Sequence, residues 1–106
     1  MSDWSWPALI AHRCGGALAP ENTLAGLGIA ARLGCAAVEF DVMLSGDGVP
    51  VLIHDETLER TTNGAGRVSD TPFDNLRRLD AGSWLDARFA GEPVPAFDKA
   101  LDACRV

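Results

Sequence analysis

Val49-Pro50-Val51-Leu52-Ile53-His54 is a strand-length apolar run that stops at an imidazole. The turn residues Ser45-Gly46-Asp47-Gly48 stand directly before it. A short run that is apolar at every position, bounded by a turn, is the pattern of a strand buried on both faces, as in the sheets of α/β proteins. The same arrangement occurs earlier, where Trp6-Pro7-Ala8-Leu9-Ile10-Ala11 leads into His12. These are the only two histidines. Between them Ala36-Ala37-Val38 leads into Glu39-Phe40-Asp41. Side chains alternate across a strand, so a strand through this stretch points both carboxylates the same way, with Cα atoms roughly 7 Å apart. Each apolar run thus ends in titratable groups, and in α/β enzymes the C-terminal edge of the sheet is where the chemistry sits. The pattern predicts part of an α/β enzyme.

Between the first two strands, Pro20-Glu21-Asn22-Thr23 opens a helix with Asn22 as N-cap and Gly34 as stop. Leu24, Leu27, Ala31 and Leu33 mark its apolar face. The second strand runs on to Val42 or Met43, and only about six residues separate it from the third, too few for a parallel crossover. Either the two form a hairpin centred on Asp47, with Asp41 opposite Ile53, or the chain returns extended without a helix. Both routes bring His54 toward the carboxylates. Beyond Asp55, Arg60–Gly66 reads as a loop. Thr71-Pro72-Phe73-Asp74 reads as a capped helix start with proline in the first position, running through Leu76 and Leu79 to stop near Gly82. Trp84, Leu85, Phe89 and the Gly91-Glu92-Pro93 turn suggest a compact loop-rich excursion, and a last helix starts around Pro95–Phe97.

With 106 residues the chain has room for one small domain. A net charge of -6 opposes a nucleic-acid or anionic-membrane surface, since both require clustered Lys and Arg. It does not oppose an anionic substrate, because a metal ion can supply local positive charge. Cys14, Cys35 and Cys104 are odd in number and widely spaced, which fits reduced thiols better than disulfides or zinc. Met1–Ser5 carries no basic leader segment, and no apolar stretch has the length of a membrane span, so the expectation is a cytoplasmic protein.

Taken in order, His12-Arg13, Pro20-Glu21-Asn22-Thr23, Glu39-Phe40-Asp41-Val42 and Gly48-Val49-Pro50-Val51-Leu52-Ile53-His54-Asp55 closely resemble the glycerophosphodiester phosphodiesterases. Arg60-Thr61-Thr62-Asn63-Gly64 and Leu79-Asp80-Ala81-Gly82-Ser83-Trp84 are similar to that family too. The resemblance implies a (β/α)8 TIM-type barrel with a small insertion after the third strand. Residues 1–106 would form its N-terminal part, with about 56–95 as the loop-rich insertion. It also implies a divalent cation, Ca or Mg, and hydrolysis of small-molecule glycerophosphodiesters to sn-glycerol 3-phosphate and an alcohol. Carried onto this chain, His12 and His54 are the acid/base pair, Glu39 and Asp41 two metal ligands, and Arg13 the phosphate contact. Two same-face carboxylates suit a hard cation, and histidine titrates near neutral pH, as proton transfer requires.

Glu21 reads as a charge favouring the helix N-terminus, outside the site. Asp55 either orients His54 or caps the next loop, and Cys14 reads as a packed thiol. Cys14 stands where the family usually has glycine, so if backbone freedom is needed there it would strain the loop or force it to shift. A whole barrel takes about 250 residues, so the third metal carboxylate is expected beyond Val106. The open sheet edge then invites self-association. Two other readings stand beside the leading one: a related barrel phospholipid phosphodiesterase, and a truncated non-catalytic interaction module.

Overall fold

The structure, a computed structural model, describes residues 10–105, and its strands pair two by two. The start of the expected first strand, Trp6–Leu9, lies outside the described residues. β1 (Ile10–Ala11) pairs in parallel with β2 (Ala37–Val38), with Ile10 beside Ala37 and Ala11 beside Val38. β3 (Val42–Leu44) pairs antiparallel with β4 (Pro50–Leu52), with Val42 opposite Leu52 and Leu44 opposite Pro50. Of the two routes open to the sequence, the chain takes the hairpin. The Ile53 amide donates to the Asp41 carbonyl at 3.1 Å, in the register expected of a turn centred on Asp47.

The second strand is not continuous. Glu39, Phe40 and Asp41 fall between β2 and β3, where the chain leaves its partnership with β1 and takes up one with β4. The carboxylates therefore stand at a junction between two small sheets, and strand alternation alone does not set their directions.

β4 explains why its sequence is apolar throughout. Val51 and Ile53 pack into a cluster with Leu58, Val68, Leu76, Ala81 and Val94, whereas Leu52 points into a second one with Cys14, Leu27 and Ala100. A strand buried on both faces has no position for a polar side chain. Phe40 and Phe97 close the second cluster with tilted rings 5.8 Å apart.

α1 (Leu24–Arg32) is capped by Thr23, whose Oγ1 accepts from the Gly26 amide at 3.1 Å, one residue later than expected. Gly34, at φ +80°, follows the helix as its stop. The inward face is Thr23, Gly26, Leu27 and Ala30, while Ala31 and Leu33 are exposed. The anticipated apolar face is therefore only partly the buried one, because packing against the loop after β1 and against α3 selects the Gly26–Leu27–Ala30 side. The loop after β1 lies tightly on this helix. A Cβ on Gly15 would stand 2.9 Å from the Gly26 Cα, so the two glycines permit the approach.

α2 is one turn, Phe73–Leu76, with Pro72 at the N-cap position rather than inside the helix, and it ends well before Gly82. Its first amide, from Phe73, donates to Asp47 of the hairpin turn at 2.9 Å. A four-residue helix is too short to hold itself, and this tertiary bond substitutes for length. α3 (Phe97–Cys104) lies against α1 and β4. The 56–95 segment holds short helical turns at Val68–Asp70 and Ala87–Phe89. Glu92 reaches back from it to accept from the Ala25 amide in the first turn of α1 at 2.9 Å. No described helix is long and apolar enough to cross a membrane.

Candidate functional site

β1 and β2 end side by side, and this delivers His12, Arg13 and Glu39 to one place. The Glu39 amide donates to the Ala11 carbonyl at 2.8 Å, and the Cys14 amide returns a bond to the Glu39 carbonyl at 2.8 Å. Glu39 Oε1 then accepts from the Arg13 amide at 3.0 Å and lies 3.6 Å from His12 Nε2. Asp41 is fixed by Asn22. The Asn22 amide nitrogen donates to Asp41 Oδ2 at 3.1 Å, and Asn22 Oδ1 accepts from the Asp41 backbone N–H at 3.0 Å.

Asn22 was expected to cap α1. It is instead buried, at φ +56°, and its side chain serves the carboxylate. Asparagine is among the few residues that adopt left-handed backbone readily. Arg13 (φ +50°) and Cys14 (φ +73°) are left-handed as well, and for these residue types that conformation carries strain of about 1–2 kcal/mol each. The strain anticipated at Cys14 is present. Backbone strain in the described chain is thus concentrated beside the two carboxylates.

Arg13 Nη1 donates to Glu21 Oε2 at 3.2 Å, and its Nε lies 3.9 Å from Asp41 Oδ2. That Nε is buried with no hydrogen-bond acceptor among the described residues, an orphan donor. Glu21, expected outside the site, is in direct contact with the candidate residues. Its nearly buried carboxylate takes Arg13 on one side and Arg60 on the other, with both Arg60 contacts at 2.9 Å. Arg60 also holds Asp55 through Nε and Nη2 at 2.8 and 2.9 Å. Asp55 in turn accepts from His54 Nδ1 at 2.8 Å, so of its two possible roles it takes that of orienting the imidazole. A carboxylate can only accept, so Nδ1 carries a proton in this contact, and Nε2 makes no hydrogen bond among the described residues.

The structure therefore gathers His12, Arg13, Glu39 and Asp41 into one cluster, and connects His54 to it through Asp55, Arg60 and Glu21. Glu21, Asn22 and His54 also line one narrow crevice. Sequence reasoning missed Asn22, Glu21 and Arg60 as site residues. Each lies in a motif quoted above, but only tertiary contact reveals its partner.

Hydrogen bonds from Arg60 first, and then from His54, hold the Asp55 carboxyl well below the usual carboxylate range. The stabilisation that comes with this depression is present above the ordinary carboxyl value of 3.8 and is lost as pH falls below it. Asp55 and Glu21 together hold the Arg60 guanidinium above its ordinary value. Glu39 and Asp41 each keep one carboxylate oxygen, Oε2 and Oδ1, without a hydrogen bond among the described residues, a donor set suited to a hard cation. Among the described residues no group of three His, Cys, Asp or Glu side chains is placed to hold a metal ion by itself.

Burial, above all, pushes the Cys14 thiol up from 9.0 to about 12. Its protonated form is retained in the fold, so stability should be intact below pH 9 and decline as pH rises toward 12. At pH 8, iodoacetamide should modify exposed Cys104 first and reach Cys14 only on unfolding. Peptide mass mapping over a labelling time course reads the order, and early alkylation of Cys14 would contradict its burial.

Comparison with known proteins leads to the same family. The sequence model of the glycerophosphoryl diester phosphodiesterase family matches residues 12–106. A glycerophosphodiester phosphodiesterase of Caldanaerobacter subterraneus is 47% identical over 94 residues, which are 89% of this chain and 39% of that protein. Mouse glycerophosphodiester phosphodiesterase 1 is 45% identical over 97 residues, 90% of this chain and 29% of that protein. Among solved structures, a phosphodiesterase of Oleispira antarctica in complex with the product sn-glycerol-3-phosphate superposes with a TM-score of 0.90 at 48% identity, over 92% of this chain and 40% of that one. A glycerophosphodiester phosphodiesterase of Agrobacterium tumefaciens gives 0.85 at 46% identity, over 88% of this chain and 40% of that one. The solved relatives are TIM barrels, of which this chain spans about 40%.

Proposed function

This chain belongs to the glycerophosphoryl diester phosphodiesterase family, and from that premise we propose that it supplies the N-terminal part of a metal-dependent barrel phosphodiesterase. The enzyme hydrolyses glycerophosphodiesters to sn-glycerol 3-phosphate and an alcohol. The cluster of His12, Arg13, Glu39 and Asp41 where β1 and β2 end, tied to His54 by the Glu21–Arg60–Asp55 contacts, is the observation that carries this reading.

Glu39 and Asp41 hold a divalent cation, Ca or Mg, with a further ligand from outside residues 10–105; the open oxygens Oε2 and Oδ1 support this assignment. When bound, the cation neutralises phosphodiester oxygens and positions the reacting groups. The rest of the work falls to side chains of this chain. Arg13 meets the phosphate with its guanidinium, whose Nε has no acceptor of its own among the described residues. His54 keeps Nδ1–H on Asp55 and offers Nε2 for proton exchange. One imidazole accepts the proton of the glycerol hydroxyl that attacks phosphorus while the other protonates the leaving alkoxide. Water then opens the resulting cyclic phosphate to glycerol 3-phosphate with the proton transfers reversed. Residues 56–95 form an insertion after the third barrel strand.

Glycerophosphocholine is the assay substrate, with release of glycerol 3-phosphate measured in the whole enzyme that carries these residues. Release should require a divalent cation and stop with chelator. Glu39→Gln should raise the cation concentration needed for half-maximal activity by roughly 10-fold or more, with excess cation restoring part of the activity. No release with any divalent cation would end the reading. Residues 1–106 alone should be inactive and should self-associate, because Ile10, Val42 and Leu44 are exposed. A monomer of 1–106 that released product would instead put the whole site in this chain.

A further inference from the structure

We propose that Arg60 is a positioning residue for His54, through which the 56–95 segment controls the proton-transfer geometry of the site. The activity arm of its test rests on the phosphodiesterase reading, while the spectroscopic arm does not.

Two readings of Arg60 compete. Its side chain is 44% exposed, and isolated surface ion pairs contribute little, so the bland reading is a solvated contact. The geometry points away from that. Arg60 engages both oxygens of Asp55 through Nε and Nη2, and both oxygens of Glu21 through Nη1 and Nη2, all between 2.8 and 2.9 Å. Four of its five N–H donors are used in two bidentate pairs, and the planar fork fixes the relative orientation of the two carboxylates. The guanidinium carbon also lies 6.0 Å from the centroid of the Trp84 ring, which limits its swing from a third side.

What separates this network from a decorative one is where it ends. Asp55 Oδ1, held by Arg60 Nη2, is the atom that accepts from His54 Nδ1. At the other end Glu21 holds Arg13, the residue that carries the orphan donor beside Asp41. One guanidinium thus sets the direction of an imidazole and, through Glu21, that of the phosphate-contacting arginine. Without Arg60 the Asp55 carboxylate has no second anchor among the described side chains. The His54 ring is then free to turn or to move its proton to Nε2, and either change removes the free nitrogen from its place.

The test uses Arg60→Gln and Arg60→Lys in the whole enzyme, with Lys keeping the charge but not the double fork and guarding against a failure to fold. Arg60→Gln should lower kcat roughly 10- to 100-fold with KM changed less than about 3-fold. Arg60→Lys should fall between it and wild type. In long-range proton–nitrogen spectra, wild-type His54 should carry its proton on Nδ1 and the Gln variant should show a mixture of tautomers. His12, whose ring contacts Glu39 and not Arg60, Asp55 or Glu21 among the described residues, should change less than His54 and serves as the internal reference. Wild-type kcat with a single His54 tautomer in both variants would overturn the proposal. A rise in KM of more than about 10-fold at unchanged kcat would overturn it too, by making Arg60 a substrate contact. If the wild-type enzyme released no product, the phosphodiesterase reading would fail while the His54 spectra still decided the role of Arg60.

Discussion

His54→Ala in the whole enzyme is expected to lower turnover by about 10²–10⁴-fold, the usual contribution of a positioned general acid or base. The imidazole has its Nδ1–H committed to Asp55, its side chain is less than half exposed, and its second nitrogen makes no hydrogen bond among the described residues. Alanine removes the proton carrier and leaves Asp55 with its two Arg60 bonds, so the surrounding ion pairs should survive. Cation affinity, assigned in the proposal to Glu39 and Asp41, should change little. His12→Ala should lower turnover comparably, because the reaction needs a donor and an acceptor at once. Parallel measurement of turnover and of cation titration separates the two effects. Near-normal turnover in His54→Ala would remove it from proton transfer altogether.

The largest effect on stability is expected from Gly82→Ala. Gly82 is buried, and a Cβ built on it would stand 1.9 Å from the Phe89 carbonyl oxygen and 2.8 Å from the Phe89 carbonyl carbon. The obstacle is backbone, so no rotation of a flexible side chain relieves it. The 82–92 loop must open, and Glu92 leaves with it. That residue accepts from the Ala81 amide through its carbonyl and from the Ala25 amide through its carboxylate. One methyl group thereby unfastens both the edge of the larger core cluster and the first turn of α1. A loss of at least about 3 kcal/mol is expected, above the usual range for overpacking because backbone has to move. Denaturant midpoints, with amide exchange at Ala25 and Ala81, check it. A midpoint shift equivalent to less than about 0.5 kcal/mol, the ordinary range for a neutral surface change, would mean the loop yields at little cost.

Much of the fold was legible where local chemistry determines structure. The turn at Ser45–Gly48 and the apolar run after it specify a strand buried on both faces, though not the choice between hairpin and extended return, and Gly34 marks the end of α1. Legibility failed where a residue's partner lies far along the chain. Nothing local says that the strand through Glu39–Asp41 must break, because the break arises from exchanging β1 for β4 as neighbour. Thr23 and Asn22 are both good caps by type, and what takes Asn22 away from that task is a carboxylate nineteen positions later. The short α2 has the same origin, since its first amide is satisfied by Asp47 in the hairpin turn. For the candidate site, the ordered resemblance named His12, Arg13, Glu39, Asp41 and His54, and the fold brings the first four together and links His54 to them. The supports Glu21, Asn22 and Arg60 stayed hidden, because their partners are set by tertiary contact.

The ion-pair network also bears on the acidity of the chain. Arg13 and Arg60 offset two of the four carboxylates Glu21, Glu39, Asp41 and Asp55, so with neutral imidazoles this one locus retains two negative charges. The whole chain carries -6. A third of the excess is therefore concentrated at a single point rather than spread over the surface. Within a Debye length of about 10 Å at 0.1 M salt, such a focus attracts a small cation and repels a bare phosphodiester. Part of the acidity that argues against a nucleic-acid surface is thus the local field of one junction between two short sheets.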